Sequence, residues 1–175
     1  MCATRVCAIV INKLLEDERT MPTIKQLAAK LNQDATDSLL RNAAAMPADK
    51  LEWSPLDAGR TAHNQLAECA VIAKFSVYTL NTRTVPKFDH EAFGKAMAEL
   101  DTVEKAVAML KENTDLMVSA IEAFPDEELD TTILMPYSPT PLSFAEVMFG
   151  PYWNTVYHIG QFAYIQTLYG DGKMY

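Results

Sequence analysis

The chain has 175 residues, of which 49% are apolar and 22% are charged, and its formal net charge is −8. This length predicts one domain with a core large enough to be stable without disulfides or metal staples. The negative charge disfavours a nucleic-acid or anionic-membrane surface, because both need clustered Lys and Arg. No apolar run approaches the roughly 20 residues of a membrane span. Small molecules and other proteins are therefore the expected partners.

The cysteines indicate a reduced, cytoplasmic protein. Cys2, Cys7 and Cys69 are an odd number and have neither CxxC nor zinc-type spacing. This pattern favours neither a disulfide framework nor a cysteine metal site. Free thiols are typical of the reducing cytoplasm.

Residues 1–20 are predicted to be an N-terminal extension, with a short amphipathic helical segment from Val6 to Leu15. The domain proper is predicted to span residues 21–175. Its first long helix is expected from about Pro22 to Ala45, with Pro22 in the first turn. Four apolar residues are spaced for a core face, namely Ile24, Leu27, Leu31 and Leu39.

A second long helix is predicted to begin at Ser54, a favourable N-cap followed by Pro55, and to reach Leu80. Its inward stripe is polar in one half and apolar in the other: Thr61, Gln65, Glu68, Ile72, Phe75 and Thr79. The polar half of this stripe is unusual, because an unpaired buried polar group costs roughly 1–3 kcal/mol.

A third helix is predicted to run without a break from an Asp89 cap to Phe124. The Pro-rich stretch from Pro125 to Pro141 predicts an irregular connection, with a short extended piece from Thr131 to Met135. Ser143 and Glu146 form a capping box that predicts the start of the fourth helix.

The fourth helix should be kinked at Gly150-Pro151 and end at Gly170. Four long amphipathic helices without convincing strands predict an all-α four-helix bundle. The long connections disfavour simple up-down-up-down topology, which requires short loops between antiparallel neighbours.

The fourth helix carries the clearest candidate site. Asn154 precedes His158 by four residues, so the two side chains share one helix face. Glu68 lies about half-way along the second helix and His158 half-way along the fourth, so the two can meet at similar depth. A carboxylate, an imidazole and an amide oxygen would form a three-ligand metal site with open positions. Glu68, Asn154 and His158 are thus the candidate metal ligands.

A metal-free polar cluster explains the same pattern. Glu68 can pair with protonated His158, while Asn154 and Gln161 satisfy the remaining polar atoms. Other candidates are weaker: His63 is expected on a flank, His90 in solvent and Cys69 in the core. The sequence contains no Ser-His-Asp order and no Gly-rich phosphate loop.

From Met21 onward the chain resembles the DinB-like superfamily of metal-binding four-helix bundles. Three features carry the resemblance: Trp53-Ser54-Pro55, the spacing from Thr61 to Glu68, and Asn154-x-x-x-His158-x-Gly160-Gln161 with the trailing Tyr-Ile-Gln-Thr-Leu-Tyr-Gly-Asp. The resemblance implies up-down-down-up topology and a homodimer. It also implies that Gly160 allows close helix approach and that Gln161 orients His158.

In that family one histidine of the second helix and an His-x-x-x-His pair of the fourth bind a divalent metal. The matching positions here are Glu68, Asn154 and His158, so two of three histidines are replaced. Glu68 is a competent ligand for zinc, nickel or manganese, whereas an asparagine amide is a poor one.

The resemblance implies a metal-dependent thiol transferase or isomerase that acts on a small molecule with a low-molecular-weight thiol. In such an enzyme the metal would hold the thiol as its thiolate. The alternative is a non-enzymatic binding or stress-associated protein with a metal-free polar cluster. A third hypothesis, a helical interaction module, predicts an exposed apolar patch.

Overall fold

The computed structural model describes residues 21–175. The proposed extension 1–20, with the segment from Val6 to Leu15 and with Cys2 and Cys7, lies outside the described residues. The helices are α1 (Ile24–Ala45), α2 (Ala48–Leu51), α3 (Ala62–Thr82), α4 (His90–Glu99), α5 (Val103–Ala123), α6 (Phe144–Val147) and α7 (Gly150–Leu168). Short 3-10 turns occur at Pro55–Asp57 and Asp126–Glu128.

The predicted architecture is confirmed: the chain is an all-α four-helix bundle of up-down-down-up topology. The long helices α1 and α3 each pack against both α5 and α7. The α5–α7 connection contains strands β1 (Thr132–Ile133) and β2 (Leu142–Ser143), which pair antiparallel with Thr132 opposite Ser143. The expected extended piece therefore forms.

Helix α1 starts later than predicted. Thr23 is its N-cap, and the Thr23 and Gln26 side chains form a reciprocal capping box, so Pro22 precedes the helix. The predicted core face is also partly wrong, because Ile24 and Leu27 remain 41% and 38% exposed. The buried face instead carries small and polar side chains, namely Ala28, Ala29, Asn32, Ala35, Thr36, Leu39, Asn42 and Ala43.

The second long helix begins at Ala62, and the predicted start at Ser54 is wrong. Leu56 and Asp57 have positive φ angles of 55° and 59°, which no α-helix contains. The Ser54 hydroxyl donates to the Gly59 carbonyl at 2.7 Å and caps no helix. Thr61 is the true N-cap and accepts from the Asn64 N–H at 3.0 Å. Residues 54–60 therefore form a tight turn before α3.

The third helix is divided into α4 and α5. Leu100 leaves the helical region with φ −90° and ψ 52°, and Thr102 caps α5 by accepting from the Lys105 N–H at 3.2 Å. The Leu100 carbonyl, released from helix hydrogen bonding, meets the His63 ring at 2.7 Å. The apolar pattern continues through this region, and the N-cap residue Thr102 within it was the signal that the prediction missed.

The start of the fourth helix agrees with the prediction. Ser143 and Glu146 form their capping box at α6, and α7 begins anew at Gly150. Pro151 occupies the first turn of α7, where its missing N–H costs nothing. The predicted kink at Gly150-Pro151 is thus a break between α6 and α7, and α7 packs against α1 and α3.

A polar layer separates two apolar core clusters. The Thr36 and Thr114 hydroxyls lie 2.9 Å apart, and Asn32 donates to the Met148 carbonyl at 2.9 Å. A cavity of about 10 Å³ lies among Asn32, Thr36, Thr114 and Thr155. One core cluster includes Leu110 and the other Met117, and both residues line this cavity.

Candidate functional site

Helices α3 and α7 pack side by side and bring the three candidate residues together. Glu68 Oε1 lies 3.1 Å from His158 Nε2 and 3.1 Å from Asn154 Nδ2. His158 is fully buried, whereas the Glu68 side chain is 21% exposed. Asn154 and His158 thus lie on one face of α7, as their i,i+4 spacing predicted, and both contact Glu68. Of the Glu68 and His158 side chains, only that of Glu68 reaches the surface.

Both ring nitrogens of His158 have hydrogen-bond partners. Its Nδ1 faces Gln161 Oε1 at 2.8 Å and Gln65 Oε1 at 3.2 Å. The Gln65 amide is oriented by its nitrogen, which donates to the Arg60 carbonyl at 3.3 Å. His158 Nε2 faces the Glu68 carboxylate, which only accepts when it is ionised. The ring is therefore held between the Glu68 carboxylate on one side and two glutamine amides on the other.

Arg60 completes the cluster. Its Nη2 lies 2.5 Å from Glu68 Oε2, and its Nε donates to Asn64 Oδ1 at 2.7 Å. Both carboxylate oxygens of Glu68 are therefore engaged, one by Arg60 and the other by His158 and Asn154. We define the polar cluster as Arg60, Gln65, Glu68, Asn154, His158 and Gln161.

The hydrogen bond from His158 lowers the pKa of Glu68 to about 2, with further lowering by Asn154 and Arg60 and opposition from burial. An anion that accepts hydrogen bonds from an imidazole ring, an amide and a guanidinium is favoured over the neutral acid. Glu68 is therefore ionised at neutral pH and is a weak proton acceptor there.

The remaining candidates lie outside the polar cluster. His63 lies on the flank of α3, where its Nδ1 is 2.7 Å from Glu52 Oε1, and His90 is exposed. Cys69 is buried, and its burial raises the pKa of the thiol to about 12. A thiol of this kind is almost wholly protonated at pH 7, so Cys69 is not a poised nucleophile.

Two members of the cluster lacked an assignment from sequence. Gln65 belonged to the predicted polar stripe without a role. Arg60 was missed because its position depends on the tight turn before Ala62, which the Ser54-Pro55 pattern concealed. The useful signal was the Thr61 N-cap, since it places Arg60 outside the helix and free to fold back toward Glu68.

Gly160 has a different setting from the one expected. It is exposed, and within residues 21–175 no atom beyond its own helix backbone and chain neighbours lies within 4 Å of the position a Cβ would take. No helix of the described chain therefore packs closely against it. Gln161, by contrast, contacts His158 as anticipated.

These residues, as arranged, fit a divalent metal ion poorly. Residues 21–175 contain no group of three His, Cys, Asp or Glu side chains placed to hold one. Asn154 turns its amide nitrogen toward Glu68, while its buried Oδ1 has no hydrogen-bond partner. Arg60 already places a positive charge at Glu68. The assignment of Glu68, Asn154 and His158 as metal ligands stays a prediction.

A groove of about 540 Å³ lies elsewhere, between α1 and the end of α5. It is lined by Thr23, Lys25, Gln26, Ala29, Lys30, Gln33, Val118 and Glu122.

Among residues 21–175, no helix is long and apolar enough to cross a membrane.

Residues 16–162 match the family model of the DinB superfamily, and the chain belongs to this family. No curated protein matches the sequence. Three similar solved structures share the fold at low identity, and they come from different proteins.

YfiT from Bacillus subtilis is described as a probable metal-dependent hydrolase with an unusual four-helix bundle topology. It is 13% identical to this chain with a TM-score of 0.71, and the match covers 87% of this chain and 92% of YfiT. A conserved protein from Enterococcus faecalis is 15% identical with a TM-score of 0.66, covering 85% and 98%. A mutant of the mycothiol-dependent maleylpyruvate isomerase is 14% identical with a TM-score of 0.64, covering 80% and 62%. At these identities the likeness is one of fold.

Proposed function

We propose that this DinB-family protein is a non-enzymatic, cytoplasmic small-molecule-binding protein whose site is the metal-free polar cluster. One observation carries the proposal: both Glu68 oxygens and both His158 nitrogens are already engaged within the protein. With these atoms paired, the carboxylate and the imidazole ring can stay together without an ion.

The chemistry of the cluster supports binding over catalysis. General acid–base groups work best with a pKa near the operating pH. Glu68 lies far below that range, and the adjacent Cys69 thiol lies far above it. Asn154 Oδ1 offers an unused acceptor, and the Arg60 side chain is 42% exposed and offers donors. A small ligand with both an anionic group and a hydrogen-bond donor suits these two features.

The test is metal analysis of protein purified without a His-tag, paired with thermal melts with and without chelator. We expect substoichiometric metal and an unchanged melting temperature. Melts with a panel of small hydroxy- and amino-carboxylates should show stabilisation that is lost in Arg60→Gln. A stoichiometric divalent ion that is lost in Glu68→Ala and His158→Ala would overturn the proposal.

A metal-dependent thiol transferase or isomerase is the competing function. It is favoured by the convergence of Asn154 and His158 on one oxygen of Glu68, the positions the family uses for ligands. The mycothiol-dependent neighbour supports a thiol cosubstrate for such an enzyme. Zinc, nickel or manganese retained by wild-type protein, with melting stabilised by cysteine or glutathione, would favour it.

We also propose a homodimer formed through the exposed face of α7. Trp153, Tyr157 and Tyr164 are 66%, 63% and 65% exposed and align with Gly160 along one stripe. Helix α7 contains no Asp, Glu, Lys or Arg. A second copy is the favoured occupant, because two chains of charge −8 approach with least repulsion at an uncharged face.

A further inference from the structure

We infer that Arg60 is a specificity-determining residue whose guanidinium takes the place of a divalent cation at Glu68 and so excludes metal from the polar cluster. This inference rests on the proposed metal-free site. It explains how a DinB-family bundle can keep a carboxylate and an imidazole together at the family's ligand positions without an ion.

The first support is the placement of Arg60. Its Nη2 lies 2.5 Å from Glu68 Oε2, on the oxygen that His158 and Asn154 do not contact. A positive charge at this distance raises the free energy of any second cation bound to the same carboxylate. A divalent ion at Glu68 would therefore have to displace the guanidinium.

The second support is that Arg60 is held by a rigid turn. The turn contains the positive φ angles of Leu56 and Asp57 and closes with the Gly59 N–H donating to the Pro55 carbonyl at 2.8 Å. A Cβ on Gly59 would lie 2.8 Å from that same carbonyl oxygen, so only glycine fits. The chain leaves this turn directly at Arg60, one residue before the Thr61 cap.

The third support is the link between Arg60 and the buried histidine. Gln65 Nε2 donates to the Arg60 carbonyl, and Gln65 Oε1 accepts from His158 Nδ1. The Arg60 side chain is further fixed by its hydrogen bond to Asn64. The guanidinium and the imidazole ring are thereby held on opposite oxygens of one carboxylate.

The prediction is a gain of metal binding. Titration of untagged full-length protein with zinc, nickel or manganese chloride, followed by calorimetry and equilibrium dialysis, should show at least about tenfold tighter binding by Arg60→Gln than by wild type. The double variant Arg60→Gln/His158→Ala should lose the gained site. Arg60→Lys keeps the charge and should remain as weak a binder as wild type.

The matched control is Arg83→Gln, which removes another arginine held 2.5 Å from a glutamate, Glu128. It should gain no metal site. Circular dichroism checks that each variant is folded, and Arg60→Lys tests charge independently if Arg60→Gln is unfolded: strong metal binding by Arg60→Lys would overturn the inference.

The outcomes separate the two proposals. If neither wild type nor folded Arg60→Gln binds metal, Arg60 is not the excluding group, while the metal-free site stands. If wild type binds as tightly as Arg60→Gln, both proposals fail. Binding by Arg60→Gln that persists without His158 would place the ion elsewhere and also overturn the inference.

Discussion

At the residue scale, a carboxylate with three side-chain partners dominates the candidate site. Glu68 is only partly buried, yet His158, Asn154 and Arg60 together keep its pKa near 2. Because the folded pKa lies below the ordinary value of 4.5, ionised Glu68 stabilises the fold above about pH 4.5. This contribution is lost as the pH falls toward 2.

Glu68→Gln should therefore lower the free energy of unfolding at pH 7 by about 3 kcal/mol, the equivalent of the pKa difference. The gap between variant and parent should shrink below pH 4.5, as measured by urea unfolding at pH 7, 4 and 3. The exposed Glu112→Gln should change stability by less than about 0.5 kcal/mol. An identical pH dependence in Glu68→Gln and the parent would contradict the assignment.

Cys69 should resist alkylation in the native protein. Its thiol is buried with a pKa near 12, so the reactive thiolate is scarce and inaccessible. Mass mapping of iodoacetamide-treated protein at pH 8 should find Cys69 modified only after urea is added. Rapid native modification at Cys69 would show that this part of α3 opens readily.

At the element scale, short polar caps decide where the helices begin. Thr23, Thr61, Thr102 and Ser143 each accept a backbone N–H in the first turn of the helix that follows. Thr61 and Thr102 also set the geometry near the site. Because Thr61 is the N-cap of α3, Arg60 lies outside that helix. Thr102 caps α5, and the Leu100 carbonyl just before it forms a hydrogen bond with the His63 ring.

Thr102→Ala should destabilise the protein by about 1 kcal/mol, because the Lys105 N–H loses its acceptor. Denaturant unfolding measures the change. The control Ser119→Ala removes an exposed hydroxyl inside the same helix and should have an effect near zero. Equal losses in the two variants would argue that Thr102 does not act as a cap.

At the scale of the whole molecule, the bundle hides polar groups and exposes aromatic ones. The interior contains a layer around Thr36 and Thr114, while the outer face of α7 presents Trp153, Tyr157 and Tyr164. Three exposed aromatic rings offer roughly 300–500 Å². A stable interface needs about 800 Å² from each partner, so the stripe would supply about half.

Tyr164→Lys should weaken the proposed homodimer at least about tenfold, because a two-fold interface would bring two like charges together. Sedimentation of wild type and variant across a concentration series measures the change. Leu116→Lys is the matched control, since Leu116 is an exposed apolar residue on α5. A monomeric wild type, or equal weakening by both variants, would contradict dimerisation through α7.

The sequence alone determined the number of long helices, the all-α class and the common helix face of Asn154 and His158. These features follow from apolar periodicity and from i,i+4 spacing, which are local properties. The Ser143 capping box was equally local. They could be predicted for that reason.

Only the tertiary structure decided what the polar residues do. Arg60 reaches Glu68 because residues 54–60 turn tightly, and that turn depends on left-handed backbone at Leu56 and Asp57, which no periodicity encodes. The partners of the His158 ring come from two helices: Gln65 and Glu68 lie on α3, and Gln161 lies on α7. The charges at the polar cluster come from residues that are distant in sequence. Their balance can therefore be assessed only from the folded chain.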